Sequence, residues 1–146
     1  MKPRIAVRGL VLHENRLLIV NAWGGNKSDL WCAPGGGVET GQSLPDNLAR
    51  EILEETGLTV AVDAPALVNE FHEPKRGFHQ IEVFFRCRIV AGQLDDSWTD
   101  PEGVVNRRRL VTRTELEGMR FKPSSLADVA WGTDPVSYDP LEQIVY

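Results

Sequence analysis

Glu51, Glu54 and Glu55 are the residues in this sequence best placed to do chemistry. On a helix that advances about 100° per residue they fall within one arc of roughly 100°, so they share a face. Like charges at such spacing repel, and each i,i+4 pair costs about 0.3 kcal/mol even when exposed. Stability alone would not select the cluster. Carboxylate oxygens are hard ligands, and Mg²⁺ or Mn²⁺ characteristically takes a few of them together with phosphate oxygens and water. A glutamate run by itself is ordinarily only a solvated face. Two neighbours reverse that reading: Gly35-Gly36-Gly37, whose backbone can approach metal or phosphate without Cβ interference, and Arg50, whose donor fork can hold a glutamate bidentately.

A helix must present these acids, and its ends are written in the chain. Ser43 can cap free N–H groups, Pro45 is tolerated in the first turn, Asp46 suits the positive end, and Gly57 is a natural stop. Leu44, Leu48 and Ile52, widened by Ala49 and Leu53, give that helix a face to dock on a sheet. Upstream, Arg4 to Leu12 and Arg16 to Asn21 predict a hairpin turning at His13-Glu14-Asn15, and Leu30 to Pro34 a short strand leading to the glycines. Downstream, strands are expected at Leu58 to Val62, Leu67 to Phe71, Gln80 to Ile89 and Gly103 to Val111, with Pro65 in one intervening loop. Thr112 to Glu115 resembles a capping box, and Ser124 to Trp131 reads as a last helix. The pattern predicts an α/β fold with a mixed central sheet sandwiched by helices.

At 146 residues and 42% hydrophobic, the chain is sized for one domain. We assign it to residues 1–132, with 133–146 a tail of unassigned role, either a loosely ordered arm or a segment that packs against a partner subunit. The net charge of -5 argues against a stable nucleic-acid complex, which needs clustered cationic surface. Arg107-Arg108-Arg109 is a dense basic run, but on a strand its members alternate in direction. No apolar run suits export or a membrane span, so a cytoplasmic location is expected. Cys32 and Cys87 lack metal or disulfide spacing and are expected as buried, reduced thiols. Gly24-Gly25-Asn26-Lys27-Ser28 lacks the glycine before lysine that a Walker A loop needs.

From Gly36, five residues lead to Gln42, and seven more lead to Arg50-Glu51-Ile52-Leu53-Glu54-Glu55-Thr56-Gly57-Leu58. This pattern resembles the Nudix box, met at every fixed position except Gln42, where a glutamate is usual. Many fixed residues at fixed offsets make the match specific. The resemblance implies the Nudix (MutT-like) alpha/beta/alpha sandwich, a nucleotide-type small-molecule substrate, Mg²⁺ with Mn²⁺ as the alternative, and room for a homodimer. It places metal ligands at Glu54, Glu55 and the backbone oxygen of Gly35, makes Glu51 a ligand or the water-activating base, and makes Arg50 the orienter. Gly36 and Gly37 would line the phosphates. A further acid often reaches the site from a later loop in this family, and Glu102 is chosen for it.

Among the remaining residues, Glu82, set in the apolar stretch Ile81 to Phe85, is a weaker candidate for touching substrate. Trp23 is preferred over Trp31, Phe71 and Phe78 for stacking on a base, because its loop is otherwise polar. His72 and His79 share no metal-ligand spacing and are expected to be structural. Pro74 lies near where a proline marks some ADP-ribose hydrolases of the family. The expected activity is metal-dependent cleavage of the pyrophosphate bond in a nucleoside diphosphate linked to another group. One alternative is hydrolysis of modified nucleoside triphosphates to monophosphate and pyrophosphate. A second, prompted by Gln42, is a noncatalytic nucleotide sensor.

Overall fold

The computed structural model describes residues 2–146. β1 (Arg4–His13) and β2 (Arg16–Asn21) form the expected hairpin, turning on Glu14 and Asn15 with φ of 49° and 63°. Positive φ at both central residues matches the twist of the flanking strands. β3 (Trp31–Cys32) and β4 (Gly35–Gly37) follow, then α1 (Leu44–Thr56). β5 (Thr59–Glu73) and β6 (Phe78–Ala91) make the long antiparallel pair, joined through a 3₁₀ turn at Pro74–Arg76. β7 (Arg108–Val111), α2 (Arg113–Glu117), α3 (Leu126–Ala130), β8 (Ser137–Tyr138) and β9 (Glu142–Gln143) complete the chain.

The sheet is mixed, in the order β3-β2-β1-β6-β5-β8, with β4 on β1, β7 on β2 and β9 on β5. β1 is its hub. It runs parallel to β6 from Arg4 to Val11 and antiparallel to β4 at Ala6 to Arg8 and to β2 at Leu12 and His13. One face carries Val7, Val11, Leu18, Phe85 and Cys87, onto which α1 docks Leu48 and Ile52. Both helix residues are fully buried, worth about 2 kcal/mol each in transfer free energy. The other face carries Leu10, Leu17, Ile19, Leu67, Phe84 and Val111 beneath Leu116 of α2 and Leu126 and Ala130 of α3. Helices on both faces give the expected α/β sandwich.

Helix signals are realised as read. The Ser43 hydroxyl accepts from the Asp46 N–H at 3.1 Å, Gly57 closes α1 with φ 76°, and Thr112 and Glu115 form both halves of a capping box. Two strand expectations are corrected. The strands expected at Leu58 to Val62 and Leu67 to Phe71 form one strand, β5, which starts at Thr59 and continues through Pro65, at register shifts where its missing N–H is tolerated. Residues 103–107 are loop rather than the first half of β7. Their amides are taken by side chains: Asp100 accepts from the N–H groups of Val104 and Val105, and Asn21 from those of Asn106 and Arg107. The tail lies along β5, where β8 and β9 add parallel to it. No described helix is long and apolar enough to cross a membrane.

Candidate active site

The last turn of α1 is anchored by its own free carbonyls. The Trp98 indole donates to the Glu54 carbonyl at 2.8 Å, Arg108 Nε to the Glu55 carbonyl at 2.6 Å, and the Gly57 N–H to Leu53. These bonds satisfy acceptors that a helix end leaves open and fix where the side chains of Glu54 and Glu55 begin. Arg108 thus serves the site through the backbone. Its neighbours diverge, Arg107 to the Ser28 carbonyl and Arg109 to Glu115, so the basic run is not one patch.

Glu51, Glu54 and Glu102 bring carboxylate oxygens within 4.8 Å of one another. Glu51 is buried, Glu54 half-buried and Glu102 exposed. Burial raises the Glu51 pKa above the ordinary carboxylate range; Arg50 opposes this, and Glu102 and Glu54 reinforce it. Arg50 Nη1 lies 3.2 Å from both oxygens of Glu54 and 3.5 Å from Glu51. Gln42 Oε1 accepts from Arg50 Nε at 3.3 Å, and its amide donates to Glu39 at 3.2 Å. The amide therefore keeps the contact a carboxylate would make while supplying no charge.

Glu55 lies apart from that trio. Its Oε1 accepts from the Gly35 N–H at 3.2 Å, and burial pushes its pKa up to about 8, with the Arg8 charge and the Gly35 bond pulling the other way. Gly35, Gly36 and Gly37 form β4 and line the same hollow as Glu51, Glu55 and Glu102. Gly36 lies against the Glu51 carboxylate and Gly37 against the Arg4 guanidinium.

Asp100, which sequence reasoning passed over, holds the Glu102 loop. It is buried, and its carboxylate accepts from the amides of Glu102, Val104 and Val105 at 3.0, 3.2 and 2.9 Å. The Asp-Pro-Glu-Gly turn chemistry was the available signal.

Beyond Arg4 and Arg8 the hollow continues into a cavity of about 380 Å³ on the sheet face opposite α1. Glu82 and Trp23 both line it. Glu82 is ion-paired to Arg8 at 2.8 Å across the parallel β1/β6 pair. Burial pulls the Arg8 pKa down, but the surrounding groups, Glu82 foremost with Cys32 and Glu55 adding, together outweigh that and raise it. Trp23 stacks on Tyr146 with centroids 4.7 Å apart, and its indole donates to the Val145 carbonyl at 3.0 Å. Its ring is thus engaged by the tail. Arg4 and Arg8 were not singled out from the sequence; their signal is cations at alternate positions of an otherwise apolar strand.

The donor set at Glu51, Glu54 and Glu102 is all oxygen, acidic and convergent, with Arg50 compensating only part of the charge. It fits a hard divalent cation, Mg²⁺ or Mn²⁺, and suits neither a soft ion nor a thiolate site.

Comparison with known proteins agrees with this geometry. The NUDIX domain family matches residues 2–129. The chain belongs to the Nudix family. An ADP-ribose pyrophosphatase of Methanocaldococcus jannaschii is 30% identical over 96 residues, covering 64% of this chain and 56% of that protein. The Bacillus subtilis protein YjhB is 33% identical over 94 residues, covering 62% of this chain and 44% of its own. The chain thus spans about half the length of these relatives. A NUDIX hydrolase structure from Nitrosomonas europaea superposes with a TM-score of 0.73 at 19% identity, covering 88% of this chain and 86% of that one, a likeness of fold.

Proposed function

We propose that this protein hydrolyses the pyrophosphate bond of a nucleoside diphosphate linked to another group, of the ADP-ribose or nucleotide-sugar class, with Mg²⁺ or Mn²⁺. The observation that carries this reading is the convergence of Glu51, Glu54 and Glu102 at a hollow, lined by Glu51 and Glu102, that opens past Arg4 and Arg8 into a cavity large enough for a nucleoside moiety. The ADP-ribose pyrophosphatase relative supports the substrate class.

Glu51, Glu54 and Glu102 would hold the cation, with Glu55 and the Gly35 backbone at its side. When bound, such a cation neutralises phosphate oxygens and lowers the pKa of water. The chain supplies the rest. Arg50 fixes the Glu54 and Glu51 rotamers. Gly36 and Gly37 admit the diphosphate close to the backbone, and Arg4 and Arg8 present positive charge between the acid cluster and the cavity. Glu51 takes the proton of the attacking water as the new oxygen–phosphorus bond forms, and the bridging oxygen departs with the leaving phosphate.

Hydrolysis of ADP-ribose, nucleotide sugars, dinucleoside polyphosphates and nucleoside triphosphates, with and without Mg²⁺, tests the reading. Metal-dependent turnover of the diphosphate-linked compounds is expected. Preference for modified triphosphates would replace this substrate class with the pool-cleaning one. Binding without turnover would make the protein a sensor.

A further inference from the structure

The cavity floor holds a row of polar side chains in which Gln80 and Glu82 have no part in the steps above. Arg4 Nη1 donates to Gln80 Oε1 at 2.6 Å, Gln80 Nε2 donates to Glu82 Oε2 at 3.0 Å, and Arg8 Nε donates to the same Oε2 at 2.8 Å. Gln80 and Glu82 are 2% and 4% exposed. Burying such a row is costly unless every member is satisfied. The last two bonds converge on one oxygen of Glu82, Oε2, while Oε1 has no hydrogen-bond partner among the described residues. It belongs to a side chain more than nine-tenths buried that lines the cavity. An ionised carboxylate only accepts, so what faces the cavity is a fixed acceptor beside the Arg8 cation. Phe71 and Phe78 line the same space and give it an apolar wall of aromatic size.

We propose that Glu82 is the specificity-determining residue of this cavity and that its Oε1 accepts a hydrogen bond from the exocyclic amino group of a nucleobase seated against the Phe71 and Phe78 wall. This rests on the reading of the hollow as a diphosphate site and names which nucleoside diphosphates it takes. Gln80 acts as a positioning residue: Arg4 fixes its amide so that nitrogen, not oxygen, meets Glu82, which aims the free oxygen. A site built to bond an amino group discriminates against a base lacking it, because the buried acceptor is then left unpaired.

The test is titration calorimetry of the full chain with Mg²⁺, comparing ADP with purine riboside 5′-diphosphate, which differs only in lacking the amino group. Wild-type protein is expected to bind ADP at least about tenfold more tightly, the scale of one hydrogen bond to a charged acceptor. Glu82→Gln, checked for folding by thermal melting, is expected to shrink that ratio to below about threefold. The wild-type comparison stands by itself should the variant not fold. Equal affinity for the two ligands, or no binding of ADP at millimolar concentration, overturns the proposal. Because binding is read without turnover, a tenfold preference with no hydrolysis of any diphosphate would sustain the role of Glu82 and sink only the catalytic reading.

Discussion

Gly36 lies directly against the carboxylate of Glu51: a β-carbon on Gly36 would stand 2.7 Å from both Cδ and Oε2 of that side chain. The glycine is the space into which the acid cluster folds. Because the obstructed atoms are the far end of a flexible side chain, Glu51 can swing away at small cost. Gly36→Ala is therefore expected to lower kcat at least about tenfold, the penalty for a misplaced reacting group, while leaving the melting temperature within a few degrees. Thermal melting beside steady-state kinetics checks it. A large loss of stability would mean that Glu51 is not free to move.

Removing charge from the cluster should be far more damaging. Glu54→Gln and Glu102→Gln are each expected to reduce kcat about a hundredfold, the scale seen when electrostatic stabilisation of transferring phosphate is disrupted. Turnover measured across a Mg²⁺ titration decides it. Near-normal rates at saturating Mg²⁺ for Glu102→Gln would remove the loop acid from the site and leave the helix acids alone.

Gln42 tests how much the box depends on charge. Its Oε1 already accepts from Arg50, and its amide donates to Glu39. Gln42→Glu keeps the first contact and replaces the second with like-charge repulsion at an exposed position. Turnover is expected to stay within about threefold of wild type or to rise, since exposed charge pairs contribute little. A steep fall in kcat would show that the amide donor itself is needed.

How much was legible beforehand depends on whether the deciding contact is local. Ser43, Pro45 and Gly57 set α1 by bonds to residues three or four positions away, so helix, acid face and Arg50 could be read directly. Pro65 carries a loop signal locally, and only the pairing with β6 shows that it occupies a bulge. Arg8 and Glu82 are separated by 74 positions, and nothing in either segment announces the parallel register that joins them. The same holds for Trp23: its polar loop suggested a free stacking surface, but Tyr146, from the far end of the chain, lies on the ring. Asp100 has a local role, yet an acid in a turn looks the same whether it caps amides or faces water.

Cys87 provides a check on the core beneath α1. Burial pushes its thiol up to about 12, with the nearby Asp63 adding to the rise, against an ordinary value of 9.0. Only the thiolate alkylates, so iodoacetamide at pH 8 should label it about a thousandfold more slowly in the folded than in the unfolded protein. The folded-state pKa is raised, so this contribution to stability is fully present below pH 9 and is lost as pH climbs toward 12. Mass spectrometry of labelled samples with and without denaturant reads the difference. Rapid labelling of native protein would mean that the α1 face of the sheet is open.

The proposed hydrolysis depends on Glu51, Glu54 and Glu102 gripping a divalent cation between their carboxylates. Anomalous diffraction from crystals soaked in manganese tests it most directly. A Mn²⁺ peak is expected between these three carboxylates, bonded to their oxygens at about 2.1–2.3 Å, as for a hard divalent ion. A peak elsewhere, or none at millimolar Mn²⁺ with the three side chains turned to solvent, would contradict it.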